Sequence, residues 1–138
     1  MDDVGVAVMK RVFEGWAERD FSALLELVHP DIVARLALPP RQATVEYRGP
    51  AEIAGFLQDG DSSYEHFEAE ARSFTVGPSG RVFAEGSVSY RAPGRAGIAS
   101  VAYWVCEVRD GKIVSWESFS DRGPALVAAG LGAAEETG

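Results

Sequence analysis

The stretch RVFAEGSVSYRAPGRAGIASVAYWVCEVRDGKIVSWESFSD, residues 81–121, decides the fold. Two turn-forming segments interrupt it, PGRAG at 93–97 and DG at 110–111, and separate apolar runs at about 81–91, 98–108 and 112–121. A fourth run at about 65–76 alternates polar and apolar residues and ends at the turn GPSG. This spacing predicts a four-stranded antiparallel meander.

The first part of the chain has helical periodicity. Met9, Val12, Phe13 and Trp16 form the i, i+3, i+4, i+7 stripe of a helix that is buried on one face. Asp20 stands just before a second apolar stripe, where its side chain suits the N-cap of a short helix. The sequence therefore predicts two helices before the first strand.

Between these helices and the meander we expect a short strand, a loop and a third helix. Residues 31–36 have the composition of a strand, and Pro39-Pro40 begins a loop. Gly49-Pro50 opens a helix that Asp59-Gly60 ends. Three helices before a long meander predict an α+β fold in which helices cover the concave side of a curved sheet and leave a pocket there. We expect one domain, residues 1–130, and a flexible tail, residues 131–138.

Composition excludes several classes of partner. The formal net charge is −8, so phosphate backbones and anionic lipid surfaces are repelled, and we expect no nucleic acid or membrane partner. Cys106 is the single cysteine, and the chain shows no secretory leader and no apolar stretch of membrane-spanning length. These features predict a cytoplasmic protein.

The order of predicted elements resembles the NTF2-like superfamily, which includes ketosteroid isomerases, SnoaL-like polyketide cyclases and limonene epoxide hydrolases. The sharpest local piece is DGKIVSWESFSD, residues 110–121, which is similar to the hairpin and closing strand of the SnoaL-like and epoxide-hydrolase branches. The resemblance implies a cone of N-terminal helices over a curved antiparallel sheet. It also implies that Asp121, at the end of the closing strand, is a general acid or base.

The chain departs from two of these branches. Epoxide hydrolases need an arginine and a second aspartate on the strand where this sequence has Gly86 and Val88. Ketosteroid isomerases carry their aspartate at the end of the first strand, which here ends at Leu36 without a carboxylate. Neither the epoxide-hydrolase triad nor the ketosteroid-isomerase mechanism is complete.

The acidic candidates lie on the last strand. If Asp121 faces the apolar pocket, desolvation strengthens it as a base; the alternative is a cap of the following Gly123-Pro124 turn. Strict alternation puts Glu117 and Phe119 on the side of Asp121, although a solvent-facing Glu117 is the favoured alternative.

Aromatic and aliphatic residues complete the predicted site. Tyr90 and Tyr103 share their strand sides with Val88 and Val105, so we expect both rings to face inward, with Tyr103 assisting Asp121. The alternative is that they are ordinary core aromatics. The predicted substrate-binding residues are Phe13, Trp16, Leu36, Phe56, Val88, Tyr90, Val105, Glu117 and Phe119.

No metal and no cofactor are implied, because no His, Cys and carboxylate cluster has ligand spacing and no glycine-rich loop joins a strand to a helix. Phe83, Trp104 and Trp116 are predicted on the outer face of the meander. Because a monomer would leave these large groups in water, we expect a homodimer packed sheet against sheet.

The leading hypothesis is a cofactor-independent enzyme that moves protons on a small apolar metabolite by cyclisation, isomerisation, dehydration or hydrolysis. The first alternative is a module that binds a small ligand or dimerises without catalysis. The second alternative is a structural domain that binds a partner protein through its outer sheet face.

Overall fold

The computed structural model describes residues 4–37, 44–63, 66–91 and 93–131. In chain order the elements are α1 (Val4–Ala17), α2 (Phe21–Glu26), β1 (Val28–Ala37), β2 (Thr44–Arg48), α3 (Gly49–Ser63), β3 (His66–Val76), β4 (Val82–Arg91), β5 (Ile98–Arg109), β6 (Lys112–Phe119) and α4 (Arg122–Ala128). This order confirms the predicted α+β class. Within the described ranges, no helix is both long and apolar enough to cross a membrane.

Local chemistry fixes the starts of the helices. The Asp20 carboxylate accepts a hydrogen bond from the Ala23 N–H at 3.2 Å, so its predicted role as the N-cap of α2 is confirmed. At α3 the Glu52 carboxylate accepts from the Arg48 N–H at 2.8 Å. The predicted end of α3 at Asp59-Gly60 is wrong, since the helix continues to Ser63. One glycine inside a helix costs only about 1 kcal/mol, which packing overrides.

The six strands form one open, mixed sheet in the order β2-β1-β6-β5-β4-β3. The predicted meander, β3 to β6, is confirmed as antiparallel. Two features differ from the sequence prediction. β2 occupies part of the expected loop, where Glu46 pairs with Arg35 of β1, and β1 runs parallel to β6.

A bulge shapes the β3–β4 seam. The register shifts between Ala71 and Ser73, opposite Gly86. A Cβ atom on residue 86 would collide with the Glu70 carbonyl oxygen of β3. The close approach of β3 therefore requires a glycine at position 86, where the epoxide-hydrolase pattern needs a functional side chain.

The sheet has two covered faces. One row of paired residues crosses it through Ala34, Trp116, Cys106 and Val82, and α1, α2 and α3 lie on this face, called the inner face. The next row, on the opposite side, includes Val105 and Phe83, and α4 packs on this outer face. Each face therefore has its own hydrophobic core.

Phe13 of α1 holds the inner core together. Its ring centroid lies 4.8 Å from that of Trp104, 5.9 Å from that of Trp116 and 6.4 Å from that of Phe74. Edge-on aromatic contacts of this kind add to the burial of apolar surface. Cys106 is fully buried in the same core, and this burial raises the pKa of its thiol to about 12.

The short helix α4 closes the outer core. Ala125, Leu126 and Ala129 are buried against Phe83 and Val105. Arg81 secures the end of the helix: its Nη1 donates to the Ala128 carbonyl at 3.0 Å, and its Nε donates to Glu107 at 3.2 Å. The Ala128 carbonyl at the C-terminal end of α4 is thus satisfied by a side chain next to β4.

The predicted outward orientation of two tryptophans is wrong. Trp104 and Trp116 are only 3% and 8% exposed, and both lie in the inner core. Phe83 does lie on the outer face, but α4 buries it. The aromatic surface from which a homodimer was predicted is therefore buried within the chain itself. Because both faces of the sheet are covered, apolar residues occur on both sides of β5 and β6, so alternation does not distinguish the sides.

Candidate functional site

A pocket opens between the helices and the inner face at the β1–β6 end of the sheet. About 570 Å³ of empty space lies in this pocket and in the open solvent at its mouth. The lining residues within the described part of the chain are all apolar: Val12, Trp16, Leu24, Val28, Ile32, Ala34, Leu36, Ile53, Phe56, Leu57, Ile113 and Trp116.

The corner between α2 and β1 forms one wall of this pocket. Lys112 Nζ donates to the Glu26 carbonyl at 3.1 Å, and the Ile113 N–H donates to the Leu27 carbonyl at 2.7 Å. These bonds satisfy carbonyl groups at the end of α2 from the start of β6. They bring Leu24 and Val28 beside Ile113.

Helix α3 forms the opposite wall. Its start is fixed by the hydrogen bond from the Arg48 N–H to Glu52. The Phe56 ring lies 5.0 Å from the Tyr47 ring of β2, centroid to centroid. Because β2 pairs with β1, this contact ties the helix to the edge of the sheet that carries Leu36.

The lining sets the chemistry of the pocket. Among the residues that the structure describes, the lining has no titratable side chain, hydroxyl group or side-chain amide, and its side-chain heteroatoms are the indole nitrogens of Trp16 and Trp116. Binding of a ligand to such a lining is favourable because it removes apolar ligand surface from water. A proton donor or acceptor for catalysis would have to come from outside these twelve residues.

The pocket includes three of the predicted substrate-binding residues, Trp16, Leu36 and Phe56. Sequence reasoning did not select the other nine. Most of them belong to the apolar stripes of α1, α2 and α3 or to β1, so a stricter use of helical and strand periodicity could have found them. Trp116 was missed because it was assigned to the outer face.

Three further predicted residues lie on the inner face but outside the pocket lining. Phe13 packs between the tryptophans of the inner core. Val88 is half-buried against the same core, and Tyr90 is buried at the far end of β4. For Val88 and Tyr90, the register along β4 agrees with the predicted inward orientation.

The predicted inward orientation of Tyr103, Val105 and Phe119 is wrong, whereas Glu117 lies on the outer face, in agreement with the favoured alternative. Val105 is buried in the outer core, and Tyr103 and Phe119 pack against that core. Tyr103 also stacks on Phe83 with 6.1 Å between ring centroids. Alternation within each strand was predicted correctly, but the side of the sheet was inverted because the packing of α4 was not foreseen.

Glu117 lies in a charged group on the outer face. It pairs in register with Arg35, whose Nε donates to Glu46 at 3.0 Å. The bond to Glu46, with a smaller effect from Glu117, raises the pKa of Arg35. Arg35 and Arg48 together hold the pKa of the Glu46 carboxyl below its usual range. Glu117 therefore lies beside the Arg35–Glu46 ion pair on the outer face and not in the pocket.

Asp121 is exposed at the N-cap position of α4. Its side chain makes no capping hydrogen bond, and it is not among the residues that line the pocket. The next residue, Arg122, donates from Nε to Glu85 at 3.0 Å on the outer face. The structure thus separates the predicted catalytic carboxylate from the apolar pocket.

A family model described as SnoaL-like domain matches residues 9–116. No curated protein sequence shows a significant match to the chain. Among solved structures, an NTF2-like protein of unknown function from Burkholderia pseudomallei superposes with a TM-score of 0.76 at 16% identity, over 92% of this chain and 97% of that chain.

Two other solved structures are similar. One, from Xanthomonas campestris pv. campestris, carries the name polyketide cyclase and superposes with a TM-score of 0.70 at 22% identity, over 86% of this chain and 90% of that chain. The other is TerC, crystallised with polyporic acid, with a TM-score of 0.72 at 19% identity, over 86% and 92% of the two chains. At these identities the likeness concerns the fold, and it agrees with the predicted NTF2-like architecture.

Proposed function

Since the chain belongs to the family of SnoaL-like domains, we propose that it binds a small, largely apolar organic molecule in the pocket between its helices and the inner sheet face. One observation carries this proposal. All twelve lining residues are apolar, although this face of the sheet is otherwise packed by a large hydrophobic core. A well-formed apolar hollow next to a packed core is typical of a ligand site.

Binding without catalysis fits the geometry best, because the candidate acid Asp121 is exposed and outside the lining. The structural neighbour TerC was crystallised with a small organic molecule, which supports a ligand-binding role for this fold.

The test uses 4-isopropyltoluene, a small neutral hydrocarbon, and saturation-transfer NMR. We expect the wild-type protein to transfer saturation to the probe. A Leu57→Trp variant, which fills the pocket, should lose the signal, whereas a Val127→Trp variant should keep it because Val127 is 61% exposed on α4. Equal signals from the two variants would show that the probe binds elsewhere.

The second candidate function is proton-transfer catalysis with Asp121 as the base and Tyr103 assisting. Structural neighbours named polyketide cyclases favour it. In addition, Tyr103 pairs with Phe119, two residues before Asp121, so both groups lie near the end of β6. The reaction would be a cyclisation, isomerisation, dehydration or hydrolysis.

Deuterium exchange at the acidic carbon of 2-tetralone, followed by NMR in D₂O, tests this second candidate. Catalysis predicts faster exchange with the wild-type protein and loss of that acceleration in Asp121→Asn. If Asp121→Asn exchanges the probe as fast as the wild type, Asp121 is not the base.

A homodimer through the outer sheet face and a cytoplasmic location also stay proposals. Val101 on the outer face is 53% exposed. However, the ion pairs of Arg35 with Glu46 and of Arg122 with Glu85 lie on the same face and make that face less apolar than expected. Sedimentation at micromolar concentration tests the dimer: a single monomeric species would exclude it there. The buried single cysteine suits a reducing compartment.

A further inference from the structure

The described lining residues disfavour a negatively charged ligand group. An ionised ligand group would leave water without meeting an ionic partner or a hydroxyl group among the twelve lining side chains. Burying such a group without compensation is strongly unfavourable. The excess of acidic residues over the whole chain, with a net charge of −8, further disfavours anions.

The mouth of the pocket is aromatic. Trp16 of α1 and Phe56 of α3 are half-buried, whereas the other ten lining residues are buried. The opening to solvent therefore lies beside these two rings, which come from different helices. Aromatic rings offer large, flat contact surfaces and suit a ligand that itself carries a ring.

Ala34 makes room at the base of the pocket. It is the only small residue among the twelve that line it, and its neighbours on the same side of β1 are Ile32 and Leu36. Its cross-strand partners are Trp116 and Tyr47, both large. An isoleucine or leucine at position 34 would extend into the space that the alanine leaves empty.

From these features we propose that the pocket selects ring-containing hydrocarbon skeletons without an anionic group and that Ala34 sets how deeply they enter. This inference rests on the proposed binding function and adds both the ligand class and a specificity-determining residue. An anionic ligand group would find no ionic or hydroxyl partner among the described lining side chains, and the size of the ligand is limited at Ala34, the one small side chain between large ones.

The experiment compares two probes of the same shape, 4-isopropyltoluene and 4-isopropylbenzoate, by ligand-observed NMR titration at neutral pH. The carboxylate should bind at least about 100-fold more weakly than the hydrocarbon. Ala34→Leu should weaken hydrocarbon binding by about tenfold or more. Its melting temperature should be at least that of the wild type, since the added carbons fill a void.

Ala99→Leu is the matched control, because Ala99 is an exposed strand residue outside the pocket lining; it should bind the hydrocarbon like the wild type. If Ala34→Leu does not fold, Ala34→Val must show a smaller loss in the same direction. Equal affinity for the two probes overturns the ligand class, and unchanged affinity in a folded Ala34 variant overturns the role of Ala34. If neither probe binds the wild-type protein, the proposed binding function itself fails.

Discussion

The two faces of the sheet differ in how completely they are filled. On the inner face, three helices enclose a large core that leaves a hollow lined by Trp16 and Trp116. On the outer face, one short helix covers a small core around Phe83 and Leu126. Ion pairs of Arg35 and Glu46, and of Arg122 and Glu85, lie outside that small core.

The contrast separates an apolar hollow from charged groups, two features that often occur together in a binding site. The described residues that line the hollow are all apolar, while the charged groups that the structure pairs lie on the other face or in solvent. An empty space without polar groups favours retention of an apolar molecule over chemistry on it. The contrast therefore supports the proposal that the inner face, which also holds the larger core, binds the ligand.

Removing the Phe13 ring, around which the inner core packs, should have the largest effect on the free energy of unfolding. Phe13→Ala is expected to lower the free energy of unfolding by about 4 kcal/mol, because it creates a cavity between Trp104, Trp116 and Phe74. Urea denaturation followed by circular dichroism measures the change. A loss similar to that of an exposed substitution such as Val4→Ala would contradict the central position of Phe13.

Truncation of a side chain in the outer core should lower the free energy of unfolding by less and leave the pocket intact. Leu126→Ala is expected to lower the free energy of unfolding by about 2 kcal/mol, since the site lies under a single short helix. Binding of 4-isopropyltoluene should stay unchanged, with Val127→Ala, an exposed neighbour, as the control. A loss of binding in Leu126→Ala would show that the two faces are coupled.

The buried thiol gives the inner core a pH dependence at alkaline pH. Burial raises the pKa of Cys106 from 9.0 to about 12, so the folded state keeps the proton that the unfolded state loses. Stability is complete below the unfolded value and declines as the pH rises towards the folded one. The thiol should account for a loss of about 1.4 kcal/mol at about pH 10. The difference in unfolding free energy between the wild type and Cys106→Val, followed over pH, measures this loss. Parallel pH profiles of the two proteins would contradict the role of the thiol.

The smallest effect is expected at the exposed ion pairs of the outer face. Arg35 and Arg48 lower the pKa of Glu46, so its contribution is present above the unfolded pKa and disappears as the pH falls through the folded one. Glu46→Gln should therefore differ from the wild type slightly at neutral pH and low salt, and not at acidic pH or high salt. Thermal melts across pH and ionic strength measure this, and a difference that persists in acid would contradict it.

The fold was largely readable from the sequence because its signals are local. Gly-containing turns at 77–80, 93–97 and 110–111 delimit β3 to β6, and the stripe of Met9, Val12 and Phe13 marks α1. The pairing of β1 with β6 was not predicted. It depends on a contact between distant segments, for which local pattern carries little information.

The site was predicted only in part. Trp16, Leu36 and Phe56 follow from helix and strand patterns, and they line the pocket. Tyr103 and Phe119 were placed on the wrong face because β5 and β6 carry apolar residues on both sides. Choosing between the faces requires knowing that α4 folds back onto the sheet, and seven residues of helix give a weak signal by themselves.

The parallel pairing of β1 with β6 also constrains the order of events during synthesis on the ribosome. Ala34 meets its neighbour Trp116 only when roughly eighty further residues have been made, an interval of roughly 4 to 16 seconds at ordinary elongation rates. Until then the apolar side chains of β1 lack their permanent neighbours on that edge. The nascent chain therefore passes through a stage in which a chaperone that shields β1 would protect it from aggregation.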